Sequence, residues 1–329
     1  MGRIGVALTG GLTPGETVEC VRLAEELGYE SAWVAEGHGG DQFALLAASA
    51  GVTRRILLGT SISSVFVRSA PTIAMAAATI DHLSGGRLVL GLGSSHRVQV
   101  EGEHGLPYGQ PIERVRETVD VVRALVRDGA VSYRGRLIRI ERFDLWFQPV
   151  RREIPMYLSA LFGPMLEVCG EIAQGTLLTW PTLETGRRAA EHIARGAARA
   201  GRIPGDVDIG SLLPCVIAAS RAEALAAIRP GLAFYGGFFP RYNRVLAESG
   251  FPDAARAIKG AWDAGDREGA AAAVPDALVD AVAVAGTPEE CRRRIEAYRA
   301  SGIALPIISP RRGPGGAAAV LDAIRACAP

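Results

Sequence analysis

Four side chains in this sequence have the acidity for proton chemistry and fall in polar loops: Glu36, His38, His96 and His104. A carboxyl group partly buried in a cleft has a raised pKa, and an imidazole exchanges its proton near neutral pH, so either type can serve as general acid or base. Two clusters of small residues accompany them, Ser61-Ile62-Ser63-Ser64 and Gly91-Leu92-Gly93-Ser94-Ser95. Glycine at such places lets a flat or anionic ligand approach the backbone closely. At Gly163-Pro164 a helix opens after a strand, which leaves the N–H groups of Met165 and Leu166 free to face an anion. Trp180 ends another strand and can wall a pocket, while His82 and His192 fall within helices and read as structural.

These residues need elements to bring them together, and residues 56–99 supply the first. The apolar runs 56–61 and 88–92, joined by an amphipathic helix over 71–83, read as a βαβ unit. Continuous rather than alternating apolar runs mark strands buried on both faces, as in a parallel sheet inside a shell of helices. The period extends over nearly the whole chain, with further strands at 3–8, 31–35, 155–159, 176–179, 206–218 and 304–309. Helices are expected at 14–27, 41–50, 111–127, 164–172, 183–200, 287–300 and 315–326, and a hairpin over 131–140. Residues 230–274 break the period and read as a helical insertion carrying Tyr235, Phe238, Phe239, Tyr242 and Trp262. Eight strands alternating with helices make an α/β fold, a (β/α)8 TIM barrel with insertions at its C-terminal face, and one domain over 1–329. An open doubly wound sheet is less economical, because GLGSSH at 91–96 lacks the third glycine of a dinucleotide fingerprint.

Composition bounds the partners. The 329 residues are 48% hydrophobic with a net charge of +1, so no electrostatic footprint marks nucleic acid or an anionic membrane as a partner. The five cysteines have no CxxC pair and an odd count, which argues against disulfides and a metal site and for buried thiols in a reducing compartment. The start is strand-like, without a basic-then-apolar leader, and no apolar run approaches the roughly 20 residues that span a bilayer. A cytoplasmic protein acting on a small molecule is expected. The loops at 37–42, 95–110 and 230–274 are placed to select the substrate, and their small and aromatic composition predicts an apolar pocket.

Four segments then carry a resemblance: GTSISSVFVRSAPTIAMAAATIDHLSGGRLVLGLGSS, QVEGEHGLPY, PMYLSALFGPMLEVCGEIAQGTLLTW and GTPEECRRRIEAYRASGI. Together they resemble the bacterial luciferase-like family. Within it they are most similar to the branch that uses the deazaflavin coenzyme F420, such as methylenetetrahydromethanopterin reductase-like oxidoreductases.

The resemblance implies a flat tricyclic cofactor at the C-terminal face of the barrel, backed by a non-prolyl cis peptide that maps to Ser61–Ile62. It assigns Ser64 and Gln99 as donors to the ring edge and Gly93 and Ser94 as points of backbone approach. It places the phosphate at Gly163, Pro164 and Met165, although the family's ALGP reads ALFGP here, one residue longer. Glu36 falls where the branch often has an acidic residue beside the ring. His96 falls where some relatives carry a catalytic Glu, which makes the two the candidate acid–base pair. The implied reaction is hydride transfer between C5 of the deazaflavin and a small organic substrate, with a homodimer the usual assembly. An FMN-dependent monooxygenase and a non-catalytic flavin-binding barrel are the alternatives.

Overall fold

A computed structural model describes residues 2–311 and 315–329 of the chain. Eight parallel strands form its centre: β1 (Gly5–Leu8), β2 (Ser31–Val34), β3 (Leu57–Thr60), β4 (Leu88–Gly93), β5 (Met156–Ser159), β6 (Gly175–Thr179), β7 (Asp208–Ile217) and β8 (Leu305–Pro310). Each pairs with the next in order, β8 returns to β1 with Ile307 opposite Gly5, and the sheet closes into a barrel. Every strand anticipated from an apolar run is one of these eight. Eight of their sixteen ends contract by one or two residues, where ladder pairing stops before the apolar pattern does, and three extend by one.

Burial explains why the runs do not alternate. All residues of β1, β2 and β4 are buried, because one face meets the barrel interior and the other meets helices. Ala7, Trp33, Val89, Leu177, Leu305 and Ile307 fill the interior. Trp33 fits there because position 59 is glycine; a Cβ on Gly59 would lie 2.2 Å from the indole. Outside, helices Pro14–Glu26, Gln42–Val52, Ala70–Ser84 and Pro288–Ala300 begin at Thr13, Asp41, Ser69 and Thr287, each of which accepts a backbone N–H and caps its helix. All five cysteines are buried free thiols. Burial pushes Cys20, Cys169 and Cys291 up to about 12.

Three features depart from expectation. The segment between β4 and residue 110 is not all loop, since Arg97–Gly102 is a short helix. The helical insertion begins at Arg221 rather than 230, because Pro230 is carried inside the helix Arg221–Phe238 instead of starting one. It continues through Pro240–Glu248, Pro252–Asp263, Arg267–Ala272 and Asp276–Val282, and packs around a core of its own with Leu232, Phe239, Tyr242, Leu246 and Ile258, joined by Trp180. A short strand, Val284–Gly286, then pairs with Cys215–Ile217 on β7. Among the described residues, no helix is long and apolar enough to cross a membrane, and no cluster of His, Cys, Asp and Glu could hold a metal ion.

Candidate active site

The C-terminal ends of the strands open into a cavity of about 1180 Å³. Its wall includes Glu36, His38, Ser61, Ile62, Ser94, His96, Gln99, Pro164, Met165 and Trp180, so most of the sequence-derived candidates converge on one space. Ser64, Gly93, Gly163 and His104 do not line it, and the first three act from behind.

The corner after β3 is fixed by directional bonds. The Ser61–Ile62 peptide is cis, as the resemblance implied. The Ser61 N–H donates to the Val34 carbonyl at 2.8 Å, and Ser63 and Ser64 pair with Leu92 and Gly93 at the end of β4. Gly93 serves this packing, because a Cβ there would stand 2.9 Å from both Ile62 Cγ1 and Ser159 Oγ. Ser64 turns its hydroxyl inward to accept the N–H groups of Phe66 and Val67, so it holds the turn and does not line the cavity. Ser61 is the counterpart. Its hydroxyl is buried on the cavity wall and, among the described residues, has no hydrogen-bond partner. A buried hydroxyl left unpaired destabilises a fold, so this atom fits a polar ligand edge.

Glu36 is held rather than free. One carboxylate oxygen accepts the Ser64 N–H at 2.8 Å and the other pairs with Arg68, which also reaches Asp41. The expectation of an acid–base carboxyl therefore gives way to an anchor that ties the end of β2 to the cis corner. His38 lies at the mouth, 80% exposed and 3.2 Å from Glu103.

His96 lines the cavity under the insertion, its ring 4.4 Å from Phe239 and 5.3 Å from Tyr242 between centroids. Desolvation in this aromatic setting, with the nearby positive charge of Arg241, pushes its pKa down to about 4. The imidazole is neutral at pH 7, which corrects the expectation of a group titrating near neutrality. It remains able to donate a hydrogen bond from one ring nitrogen and accept at the other.

At the opposite end, the N–H groups of Met165 and Leu166 both turn back onto the Phe162 carbonyl, at 3.1 and 3.2 Å. They are not free donors. Pro164 has no N–H, and the extra residue in ALFGP makes Phe162 the N-cap with no side-chain cap of its own. Gly163 also admits the His192 ring, which would lie 2.2 Å from a Cβ there. Trp180 is fully buried, with φ +55°, and its indole lies 5.3 Å from Tyr235 and 5.0 Å from Tyr242.

The cavity lining is mostly apolar, as expected, but Arg241, Arg244 and Arg311 also line it. Arg241 Nη1 donates to Ser94 Oγ at 3.4 Å, and Arg244 lies over the Phe162 ring at 4.4 Å. The signal was present in PRYNR at 240–244, where arginines three apart share a helix face. It was masked by the aromatic run before it.

A parallel (β/α)8 barrel with a deep, partly cationic cavity at its C-terminal face, a cis corner and an orphaned hydroxyl is the architecture of an enzyme that holds a flat cofactor. Residues 1–305 match the luciferase-like monooxygenase family, and the chain belongs to it. A Mycobacterium tuberculosis protein provisionally named as a coenzyme F420-dependent oxidoreductase is 30% identical over 319 residues, covering 91% of this chain and 92% of that one. The 5,10-methylenetetrahydromethanopterin reductase of Archaeoglobus fulgidus is 29% identical over 300 residues, 89% of each chain. Among solved structures, the coenzyme F420-dependent tetrahydromethanopterin reductase of Methanopyrus kandleri superposes with a TM-score of 0.88 at 24% identity, covering 99% of this chain and 97% of that one.

Proposed function

We propose that this enzyme is an F420-dependent oxidoreductase that moves a hydride between the deazaflavin and a small organic substrate. The observation that carries the reading is the Ser61 hydroxyl, buried and unpartnered beside the cis Ser61–Ile62 bond on the cavity wall. The Mycobacterium tuberculosis relative and the Methanopyrus kandleri structure, both named for F420, support the choice of cofactor. Bound F420 supplies two-electron hydride chemistry at C5 with little reactivity toward oxygen.

The chain's own residues do the rest. Ile62 and Ser61 give the ring a face and a polar edge, with Gly93 holding that corner in place from behind. Gln99 and Ser94 border the same space, and Trp180 closes its far side. Arg244, over Phe162, presents positive charge to the phosphate. His96, neutral and enclosed by Phe239 and Tyr242, hydrogen-bonds the substrate atom that gains or loses the accompanying proton. Glu36 and Arg68 are positioning residues that keep the corner closed.

Parallel absorbance titrations of the purified protein with oxidised F420 and with FMN test this. Micromolar or tighter binding of F420, with FMN at least about tenfold weaker, is the expected result. The reverse preference replaces the reading with a flavin-dependent monooxygenase.

A further inference from the structure

The three cavity arginines are not equivalent. Arg244 pairs with Glu248 and lies over Phe162, at the end assigned above to the cofactor phosphate. Arg311 lies over the Tyr235 ring. Arg241 sits one turn before Arg244 on the helix Pro240–Glu248 and reaches the other end, toward Ser94 and His96. Among the described residues it has no carboxylate partner; its contacts are the Ser94 hydroxyl at 3.4 Å and the face of Tyr108 at 5.6 Å. Of the carboxylates that line the cavity, Glu36 is committed to Arg68 and Glu103 contacts the exposed His38 ring, so neither pairs with Arg241. A partly desolvated guanidinium without a counter-ion is an incomplete ion pair, and its fork of donors matches a carboxylate in geometry. Around it, Phe234, Phe239 and Tyr242 line the cavity with aromatic surface.

We propose that Arg241 receives the carboxylate of the substrate, and that the substrate class is an organic acid with an apolar, ring-sized body packed against Phe234, Phe239 and Tyr242. Only the reaction undergone by this acid rests on the oxidoreductase reading. A carboxylate on the cofactor's own side chain would present the same chemistry to Arg241, and the test separates the two sources.

Benzoate and its uncharged isostere benzamide are titrated calorimetrically into wild type, Arg241→Gln and Arg241→Lys, each with and without saturating F420, and F420 itself is titrated into all three. The expected result is benzoate binding at least about tenfold tighter than benzamide in wild type, the gain given by one charge-assisted pair. That preference is lost in R241Q and partly kept in R241K, while F420 affinity stays within about threefold. A wild type without the preference, or a preference that survives in R241Q, overturns the proposal. So does a loss of F420 affinity of about tenfold or more in R241Q with the benzoate preference intact, which assigns Arg241 to the cofactor. If F420 fails to bind wild type at all, the oxidoreductase reading falls. The benzoate comparison in the cofactor-free protein then decides Arg241 alone, with preference supporting the proposal and its absence overturning it.

Discussion

The corner after β3 and the wall facing it from the insertion are held by different forces. At the corner, Ser61, Ser64, Glu36 and Arg68 are fixed by directional bonds to neighbouring backbone and to each other. At the wall, His96, Trp180, Tyr235, Phe239 and Tyr242 are held by ring contacts with centroids between 4.4 and 6.0 Å. Directional bonds specify one geometry, which suits a cofactor that does not change. Aromatic packing tolerates exchange of volume, which suits a surface that selects among substrates.

Breaking the corner gives the largest effect. Arg68→Met leaves the Glu36 carboxylate, only 15% exposed, without its cation. It is expected to destabilise the protein by about 3 kcal/mol in urea unfolding and to abolish measurable F420 binding. A variant as stable as wild type with unchanged F420 affinity would remove the corner's claim to be the cofactor seat. Gly93→Ala comes next. Its Cβ meets Ile62 and Ser159 at 2.9 Å, and overpacking of that kind costs about 1–3 kcal/mol. F420 affinity is expected to fall by about tenfold, or roughly 1.4 kcal/mol, measured by fluorescence titration.

His96 sharpens the contrast through pH. Its native pKa of about 4 lies below the unfolded value of 6.5, so between these values the unfolded state binds more protons. Stability from this residue is complete above pH 6.5 and is lost as pH falls toward 4, by up to about 3 kcal/mol. His96→Phe, which keeps the ring packing, is expected to flatten the difference between unfolding free energies measured at pH 7 and pH 5. A slope unchanged from wild type assigns the acid sensitivity elsewhere. The smallest effect belongs to Phe234→Leu at the wall, where the ring is 39% exposed. Stability should change by about 1 kcal/mol or less and F420 affinity by no more than about twofold, while the benzoate-to-benzamide ratio shifts. A tenfold loss of F420 affinity there would dissolve the division between the two regions.

The barrel was legible because buried parallel strands leave continuous apolar runs that need no tertiary knowledge to recognise. That Ser61, Ile62, Ser94, Gln99 and Trp180 meet on one cavity wall was legible because strand ends and motif order place them. The state of a side chain was not. Whether Glu36 is free or anchored depends on Arg68, far along the chain and carrying no local mark of the pairing. The depressed pKa of His96 depends on Phe239, Tyr242 and Arg241, which reach it only through the insertion. Arg241 itself was hidden for a related reason. Composition averages a loop, whereas one helix face delivers two guanidiniums to the cavity.

The junction where the insertion leaves and rejoins the barrel has a further consequence. β7 runs on beyond its pairing with β6, and Cys215–Ile217 at its end pairs with the returning Val284–Gly286, sealed by the Ala218 N–H on the Gly286 carbonyl. The excursion is thus closed at its base as a parallel crossover, returning alongside the strand it left. Its two ends stay together whatever lies between them, and the closure entropy grows only slowly with the length enclosed. The insertion is closed at its base, yet the barrel enters it from the side, with Trp180 in its core and His96 against Phe239 and Tyr242. A helical segment transplanted between Ile217 and Val284 would change what the cavity admits, and it would have to cover Trp180 and His96 as Tyr235, Phe239 and Tyr242 now do.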